Sequence, residues 1–275
     1  MPQPLEALIM DLIHTSDRKY TPLDLERAIT AEHSVSGQII RQVIRQLISK
    51  NRLVYTHLLG HSFLEISYKR PVHIGGGIIL TPPDVFYMAG PEEIVVRIAP
   101  GVSFGIGDHA TTRIALQLMA WAFENRTLPQ NSSGTRQATR ALDIGTGSGV
   151  LAIAACLKGI TEAVGTDIEA CARVEALENV RLNNLGNCIR ITDATLDASC
   201  NSFSLVLANL RYPTLIQLEP EIQKICLPGA LLIFSGFREH ELADLLSAYP
   251  APHYKRLKTL SQNNWCGIAL QTKRV

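Results

Sequence analysis

Hydrophobic and polar positions follow two different spacings along the first part of this chain, and their order predicts three helices and then a hairpin. Three segments have the spacing of amphipathic helices, and two shorter segments alternate as strands do. These segments are residues 5–13, the stretch that begins with a capping box at Thr21, residues 37–50, residues 52–57 and residues 62–66. We therefore expect a small separate domain over residues 1–69.

Three helices followed by a hairpin resemble a winged helix-turn-helix domain. In such a domain the third helix is exposed and can contact nucleic acid. That helix carries Arg41, Arg45 and Lys50 and no acidic residue, which favours a nucleic-acid contact. The small domain also holds seven acidic residues, so a solvated helix face or a protein-docking surface is the slightly favoured alternative.

The second domain is expected over residues 70–275, and its first part, residues 70–99, is a β-rich entry segment. A helix follows over about 112–123, and the polar stretch 126–139 is typical of a surface loop. From Arg140 onward, short apolar strands alternate with helical segments. This alternation predicts an α/β fold of the Rossmann-like class, with a doubly wound, mainly parallel sheet and helices on both faces.

The composition excludes some classes of protein but does not identify a single one. The chain has 275 residues, 46% hydrophobic and 19% charged, with a formal net charge of +1. Its six cysteines form no C-x-x-C pair, so we expect reduced core thiols, no zinc site and a cytoplasmic location. The first ten residues lack the pattern of a secretory leader, and no apolar run is long enough to span a bilayer. The sequence leaves the oligomeric state open.

The segment Ala141-Leu142-Asp143-Ile144-Gly145-Thr146-Gly147-Ser148-Gly149 carries the strongest chemical signal. An apolar strand runs through an acidic residue into a glycine-rich turn, and a helix follows at once. Glycines allow a tight turn close to a ligand, and the helix presents unpaired N–H groups there. The spacing differs from the dinucleotide pattern G-x-G-x-x-G, and a carboxylate before the turn would repel a pyrophosphate.

Three acidic residues follow three successive predicted strands. Asp143 would attract an amino-acid ammonium, Asp167 would bind the two ribose hydroxyls, and Asp193 would accept from an adenine amino group. Ammonium, ribose and adenine together describe S-adenosylmethionine, which is the cofactor we expect. The alternative is a helix-packing turn in another kind of doubly wound protein.

A second glycine-rich segment, Phe104-Gly105-Ile106-Gly107-Asp108-His109-Ala110-Thr111-Thr112, precedes the first strand of the predicted sheet. With this segment, the chain resembles the PrmA-type methyltransferases, which modify a bacterial large-subunit ribosomal protein and carry F-G-T-G-x-H-x-T-T here. The family's D-x-G-x-G-S-G-I-L-A-I-A-A matches residues 143–155, and its V-V-A-N-I matches residues 206–210. The resemblance extends over about 70–275, whereas the family has a different α/β domain where residues 1–69 resemble a winged helix.

The resemblance implies a set of cofactor-binding residues in addition to the three acids. Thr112, Gly145, Asp167 and Asn209 match family positions directly, and Phe104 would pack on the cofactor. The full expected set is Phe104, Gly105, Thr112, Asp143, Gly145, Thr146, Gly147, Asp167, Ile168, Asp193, Ala194 and Asn209. Ile106, Asp108 and Ala110 depart from the family pattern in the loop. Above all, residues 1–69 differ from the family's substrate-recognition domain, so the resemblance implies the cofactor but not the substrate.

The expected catalytic residues are Asn209 and Tyr212. Asn209 would offer oxygens to an amine that must be neutral when it attacks, and Tyr212 would offer a hydroxyl or a ring face. The run Asn209-Leu210-Arg211-Tyr212 loosely resembles the N-P-P-Y signature of methyltransferases acting on planar nitrogens, but it lacks both prolines. Ordinary packing of Tyr212 at a helix start is an equal alternative.

Three further residues have two interpretations each. His109 is either a general base or, as we favour, a hydrogen-bonding brace. Trp265 either lines a substrate mouth or belongs to the core, and Asp108 either meets a cationic substrate or caps the helix at Thr112.

Three functions are compatible with these features. The leading one is a methyltransferase acting on a protein amino group, with a ribosomal protein among the candidate partners. The second is a nucleic-acid methyltransferase that holds the phosphate backbone with its small domain. The third is a regulator that binds the cofactor without turnover.

Overall fold

In the computed structural model, the chain is described over residues 4–16, 18–58, 60–67, 70–101, 109–129, 139–193 and 203–273. It divides into two compact units, Met1–Pro71 and Val72–Val275. The division lies two residues from the domain boundary that the sequence predicts.

The first unit contains three helices and a two-stranded antiparallel hairpin. They are α1 (Leu5–Thr15), α2 (Pro22–Glu32), α3 (Gly37–Ser49), β1 (Leu53–Leu58) and β2 (His61–Ile66). An isolated bridge joins Tyr20 to Leu64. Their order is the predicted one, while the winged-helix assignment stays a prediction.

Helices α2 and α3 begin at residues whose side chains accept hydrogen bonds from otherwise unpaired backbone N–H groups. The Thr21 hydroxyl accepts from the N–H of Asp24 at 3.2 Å, and the Asp24 carboxylate accepts from the N–H of Thr21 at 3.4 Å. Ser36 caps α3 in the same manner, accepting from Ile39. These caps and a core centred on Leu25, Ile44 and similar buried residues fix the three helices.

The second unit opens with a small mixed sheet. Its strands are β3 (Val72–Gly75), β4 (Ile78–Thr81) and β5 (Ile94–Arg97); β3 pairs antiparallel with β4, and β4 pairs parallel with β5. The buried residues Ile78, Leu80 and Val96 pack into the larger core of the unit. These three strands lie within residues 70–99, the segment that the sequence predicts to be β-rich.

Helix α4 (Ala110–Glu124) then leads into a seven-stranded sheet with its helices. The strands are β6 (Arg140–Ile144), β7 (Glu162–Thr166), β8 (Ile189–Thr192), β9 (Phe203–Asn209), β10 (Cys226–Arg238), β11 (Tyr254–Gln262) and β12 (Trp265–Thr272). The helices are α5 (Val150–Leu157), α6 (Ala170–Leu182), α7 (Tyr212–Ile225) and α8 (Leu242–Ala248). The strand order is β11-β12-β10-β9-β6-β7-β8.

Strands β6 to β10 are parallel, and β12 runs antiparallel to both β10 and β11. Along β9, Leu205 and Leu207 face a core shared with α4 and α5, while Val206 and Ala208 face a core shared with α7 and α8. Helices therefore cover both faces of the sheet, as the alternation of strands and helices predicted. The doubly wound, mainly parallel α/β fold is confirmed.

Two element boundaries differ from those expected. Strand β10 begins at Cys226, four residues before the predicted start at Ala230, because a register break between Cys226 and Leu231 accommodates the proline-glycine turn. A 3₁₀ turn over Glu239–Glu241 replaces the first turn of the helix that was expected to start at Glu239.

The cysteines are less buried than the apolar patterns suggested. Among those that the structure describes, all are free thiols; Cys266 is buried and Cys171 is exposed. No helix among the described residues is both long enough and apolar enough to cross a membrane.

Candidate functional site

The predicted site residues meet at one edge of the large sheet. Because β6, β7, β8 and β9 are parallel, their carboxyl ends lie at the same edge, where Ile144 pairs with both Thr166 and Ala208. The glycine turn follows β6, Asp167 follows β7, Asp193 follows β8, and Asn209 ends β9. The fold therefore places the three acids and the asparagine, which are far apart in the sequence, at the same edge of the sheet.

The glycine turn has a backbone that favours glycine at three positions. Gly145, Gly147 and Gly149 have φ values of 67°, 54° and 79°. A Cβ at Gly145 would lie 2.6 Å from a methyl carbon of Leu210, which packs directly on the turn. The N–H of Thr146 donates to the carbonyl of Thr166 at 2.9 Å and ties the turn to β7.

Asp143 is buried inside this turn with only one of its oxygens engaged. Its Oδ2 accepts from the Thr146 hydroxyl at 2.7 Å and from the N–H of Ala152 at 3.2 Å. Its Oδ1 is buried and accepts no hydrogen bond from the residues that the structure describes. Burial is the main cause that raises the pKa of this carboxyl to about 6, and the two hydrogen bonds offset part of the effect.

Gly165 supports Asp143 indirectly, and sequence reasoning gave it no role. A Cβ at Gly165 would lie 2.8 Å from the hydroxyl oxygen of Thr146, the group that donates to Asp143. The sequence signal that could have revealed this role is a glycine in the interior of a short strand. Such a glycine often marks a position where another part of the chain or a ligand approaches the backbone closely.

Asp167 links the glycine turn to the loop after β7. Its Oδ2 accepts from the N–H of Gly147 at 2.9 Å, and its Oδ1 accepts from the N–H of Glu169 at 3.0 Å. The next side chain, Ile168, is 90% exposed, although it is a large apolar group. An exposed isoleucine beside a half-buried acid is a surface that a planar apolar ligand group could cover.

Asp193 lies further from the turn and is held by an arginine. Arg173 donates to the carbonyls of Asp167 and Ile168 at 2.9 and 3.0 Å, and its guanidinium lies 3.6 Å from the Asp193 carboxylate. Asp193 is largely exposed. The predicted site residues Phe104, Gly105 and Ala194, together with Asp108, lie outside the described residues.

Asn209 is held from both sides at the end of β9. Its Nδ2 donates to the Thr112 hydroxyl at 3.3 Å, and its Oδ1 accepts from the Ser235 hydroxyl at 3.1 Å. Gly236 has a φ of 94°, and a Cβ there would lie 2.5 Å from the carbonyl oxygen of Leu210 and 2.9 Å from Asn209 Oδ1. The asparagine amide is therefore fixed in one orientation by α4 and β10.

Two buried asparagines, Asn179 in α6 and Asn183 at its carboxyl-terminal cap, form a clamp that sequence reasoning missed. Asn179 accepts from the N–H of Ala99 at 2.9 Å and donates to the carbonyl of Ser148 at 2.8 Å, so it joins the chain after β5 to the glycine turn. Asn183 pairs with both backbone groups of Arg97. Asparagine is unfavourable in the interior of a helix unless its side chain bonds elsewhere, so Asn179 was the available signal.

His109, Trp265 and Arg238 form a stack beside the asparagine. The His109 ring caps α4, lies 2.8 Å from the Thr111 hydroxyl and packs edge-on against Trp265 with ring centroids 5.1 Å apart. The Arg238 guanidinium carbon lies 3.7 Å from the centroid of the Trp265 ring. His109 thus braces the start of the helix. Tyr212 is half-buried against the core of α7 and α8, as its packing interpretation requires.

In the first unit, the cations of α3 are partly neutralised. Arg41 pairs with Glu26 at 3.1 Å, and Lys50 pairs with Glu6 at 3.0 Å. Arg45 is exposed, and its Nε donates to the Arg41 carbonyl. These pairs reduce the positive charge that a nucleic-acid surface requires.

The described residues fit S-adenosylmethionine. A buried, unengaged carboxylate oxygen on Asp143 suits a cationic group, Asp167 suits the ribose hydroxyls, and exposed Ile168 suits the adenine face. Across the described ranges, no group of three or more His, Cys, Asp or Glu residues could hold a metal ion. A glycine turn after the first strand, successive acids at neighbouring strand ends and this strand order define the class I methyltransferase fold.

Comparison with known proteins gives the family. The model of the ribosomal protein L11 methyltransferase (PrmA) family matches residues 64–273, so the chain belongs to that family. It is 35% identical over 209 residues to the ribosomal protein L11 methyltransferase of Geotalea uraniireducens, covering 75% of this chain and 66% of the relative. It is 35% identical over 176 residues to that of Syntrophotalea carbinolica, covering 64% of this chain and 54% of the relative.

Among solved structures, the chain is similar to the ribosomal protein L11 methylase of Lactobacillus delbrueckii subsp. bulgaricus. The TM-score is 0.62 at 25% identity, with 74% of this chain and 99% of the other covered. The chain spans about half to two thirds of the length of the curated relatives named above. Residues 1–63 precede the region that the family model matches.

Proposed function

We propose that this protein is an S-adenosylmethionine-dependent methyltransferase that acts in the cytoplasm on an amino group of a ribosomal protein. The observation that carries the proposal is the fixed amide of Asn209, which lies at the edge of the sheet that also holds the Asp143 turn. Relatives in the family are named for ribosomal protein L11, which is therefore the first substrate to test.

The cofactor supplies a methyl group that is already activated on a sulfonium. The chain's own residues would hold it at the glycine turn through Asp143, Asp167 and Ile168, with Thr112 at the amino end of α4. The carboxylate of Asp143 lies in a dry environment, where its attraction to a cation is stronger than in water.

Asn209 would orient the attacking amine. A carbonyl oxygen has two lone pairs, and Ser235 occupies one lone pair of Asn209 Oδ1, so the other is available to an N–H of the substrate. Because Thr112 and Ser235 fix the amide, the amine would be directed without further reorganisation of the protein. Tyr212 remains a candidate for contact with the substrate, but packing accounts for its position.

The nucleic-acid alternative has less support from the charges of the first unit. Arg41 and Lys50 are ion-paired within that unit, and only Arg45 of the three predicted cations has no ion pair among the described residues. A protein substrate is therefore favoured. The regulator alternative is disfavoured by the intact strand end at Asn209, whose fixed amide would orient an attacking amine.

The test uses extract from cells that lack the gene, the purified protein and methyl-labelled S-adenosylmethionine. We expect label in protein that protease removes, in a band that mass spectrometry identifies. Label removed only by nuclease would replace the proposal with the nucleic-acid alternative. Cofactor binding without any label would favour the regulator.

Replacement of Asn209 tests the assigned role in the same assay. Asn209→Ala is expected to lower kcat by about 100-fold or more, by analogy with the loss of one well-placed hydrogen-bonding group. Gln217→Ala removes an exposed amide on α7 and should leave turnover unchanged. Full turnover and normal cofactor affinity in Asn209→Ala would contradict the assignment.

A further inference from the structure

The stack of Arg238, Trp265 and His109 forms a wall beside Asn209 that the cofactor site does not use. Asn209 contacts Thr112 in the first turn of α4, His109 caps that turn, and Trp265 packs on His109. A continuous series of contacts therefore links Asn209 to Arg238.

The sheet places this wall on the substrate side of the site. Strand β10 ends at Arg238 and β12 begins at Trp265, and these two residues are direct neighbours in the antiparallel pairing. Ser235 pairs with Asn209, so Arg238 lies three residues further along β10. A bulge between Ser235 and Phe237 makes Arg238 pair with Trp265, only two residues from Gly267, the partner of Ser235. At about 3.3 Å per residue, the backbone of Arg238 is therefore about 7 Å beyond the asparagine, outside the carboxyl edge of the sheet.

Arg238 is held in place but has no anionic partner within the described part of the chain. Its guanidinium lies 3.7 Å from the centroid of Trp265, which restricts it to a plane against the ring. Two other arginines of this domain have carboxylate partners: Arg140 lies against Glu162 and Arg173 against Asp193. The described ion pairs include none for Arg238.

The acidic side chains near Arg238 do not pair with its guanidinium. One of them binds a backbone N–H group, and the other is exposed. Glu241 accepts from the backbone N–H of Arg238 at 2.6 Å, and Glu239 and His240 are exposed. A guanidinium that stacks with one face on an aromatic ring keeps its N–H edge free for a planar, bidentate anion.

We propose that Arg238, stacked on Trp265, is a specificity-determining residue that binds a carboxylate of the protein substrate near the amine to be methylated. The proposal rests on the proposed function and deepens it. The separation of about 7 Å corresponds to about two residues of extended chain, so the acid would lie about two residues from the target amine. Charge-assisted hydrogen bonds of this kind discriminate strongly against an uncharged amide.

The first test needs no turnover and uses Trp265 as the reporter. Trp121→Phe leaves Trp265 as the single tryptophan. The protein, saturated with S-adenosylhomocysteine, is titrated with a nine-residue peptide that has a central lysine and glutamates two residues away on either side, and with its glutamine analogue. We expect the glutamate peptide to bind about 10- to 100-fold more tightly.

Removal of the guanidinium should abolish that preference. Adding Arg238→Gln to the Trp121→Phe protein is expected to make the two peptides bind alike, and Arg238→Lys should keep only part of the difference. Arg256→Gln, an exposed arginine toward the opposite end of the sheet, should retain the full preference. Equal binding of the two peptides before Arg238 is changed, or a preference that survives its removal, would overturn the proposal. So would a Trp265 response to a short RNA that exceeds the response to the glutamate peptide.

The second test measures turnover on purified ribosomal protein L11. Arg238→Gln should raise KM for the protein about 10- to 100-fold while kcat and cofactor affinity stay within about twofold. An unchanged KM would overturn the proposal, as would a loss confined to kcat. If the wild-type protein methylates no protein at all, the proposed function fails, and the peptide titration still decides the role of Arg238.

Discussion

Replacement of the buried carboxylate should change how stability depends on pH. Asp143 has its pKa raised from 3.8 to about 6, chiefly by burial. A rise of this size corresponds to about 3 kcal/mol, which the folded protein loses when the carboxyl ionises in the folded state. The folded state binds the proton more tightly than the unfolded state, so this stability is present below pH 3.8 and is lost as pH rises through 6.

Asp143→Asn removes that titration and keeps the shape of the side chain. Its carbonyl oxygen can still accept from Thr146 and Ala152. The amide group at the position of Oδ1 adds a cost that does not depend on pH. The free energy of unfolding of the variant, relative to that of the wild type, should therefore rise by about 2 kcal/mol from pH 4 to pH 7. This rise is independent of how the two proteins differ in stability at pH 4.

The assay is urea unfolding followed by circular dichroism at several pH values between 4 and 7. Asp193→Asn provides the matched control, because this acid also follows a strand but is largely exposed. It should leave the pH dependence almost unchanged. The reasoning is refuted if Asp143→Asn and the wild type have parallel stability profiles over this range.

Affinity for the cofactor should fall as the pH falls, whereas the stability contributed by protonated Asp143 rises. The proposed contact requires ionised Asp143, so the wild-type Kd for S-adenosylmethionine should rise as pH falls below about 6. Isothermal titration calorimetry of Asp143→Asn should show weaker binding with no such dependence. Equal affinities of the wild type and Asp143→Asn for S-adenosylmethionine at pH 7 would show that Asp143 does not bind the cofactor.

Two further substitutions test how the site is positioned. Gly236→Ala would drive a Cβ to 2.5 Å from the carbonyl oxygen of Leu210 and should lower kcat at least 10-fold in steady-state assays, because the Asn209 loop must move. Asn179→Ala leaves the N–H of Ala99 and the carbonyl of Ser148 without this partner; it should lower the free energy of unfolding by about 2–4 kcal/mol and weaken cofactor binding, measured by urea unfolding and calorimetry.

Matched controls separate these effects from general damage. Gly229→Ala places an alanine at a similar positive φ, 82°, but with no atom within 4 Å of its Cβ, so it should retain turnover. Asn125→Ala removes an exposed asparagine that bonds within its own helix end and should cost less than 1 kcal/mol by the usual scale for surface positions. Similar losses in Gly229→Ala and Gly236→Ala would mean that backbone strain, rather than collision with the Asn209 loop, is responsible.

Local chemistry in the sequence was enough to predict most of the helices and strands and to suggest a candidate cofactor site at the glycine turn. The Thr21 capping box, the glycines of the turn after β6 and the continuous apolar run of β9 each act within a few residues, so their outcome can be inferred without the fold. Parallel strands then bring their carboxyl ends together, which is why Asp143 and Asp167 were expected to meet.

Other features depend on neighbours that are distant along the chain, and only the tertiary structure decided them. The ion pairs of Arg41 and Lys50 join separate helices and change the charge of α3. The raised pKa of Asp143 depends on how completely the fold excludes water. The clamp at Asn179 joins residues 80 positions apart. Sequence spacing cannot fix such contacts, because burial and pairing are set by the packing of whole elements, whereas caps and turns are set by the backbone next to them.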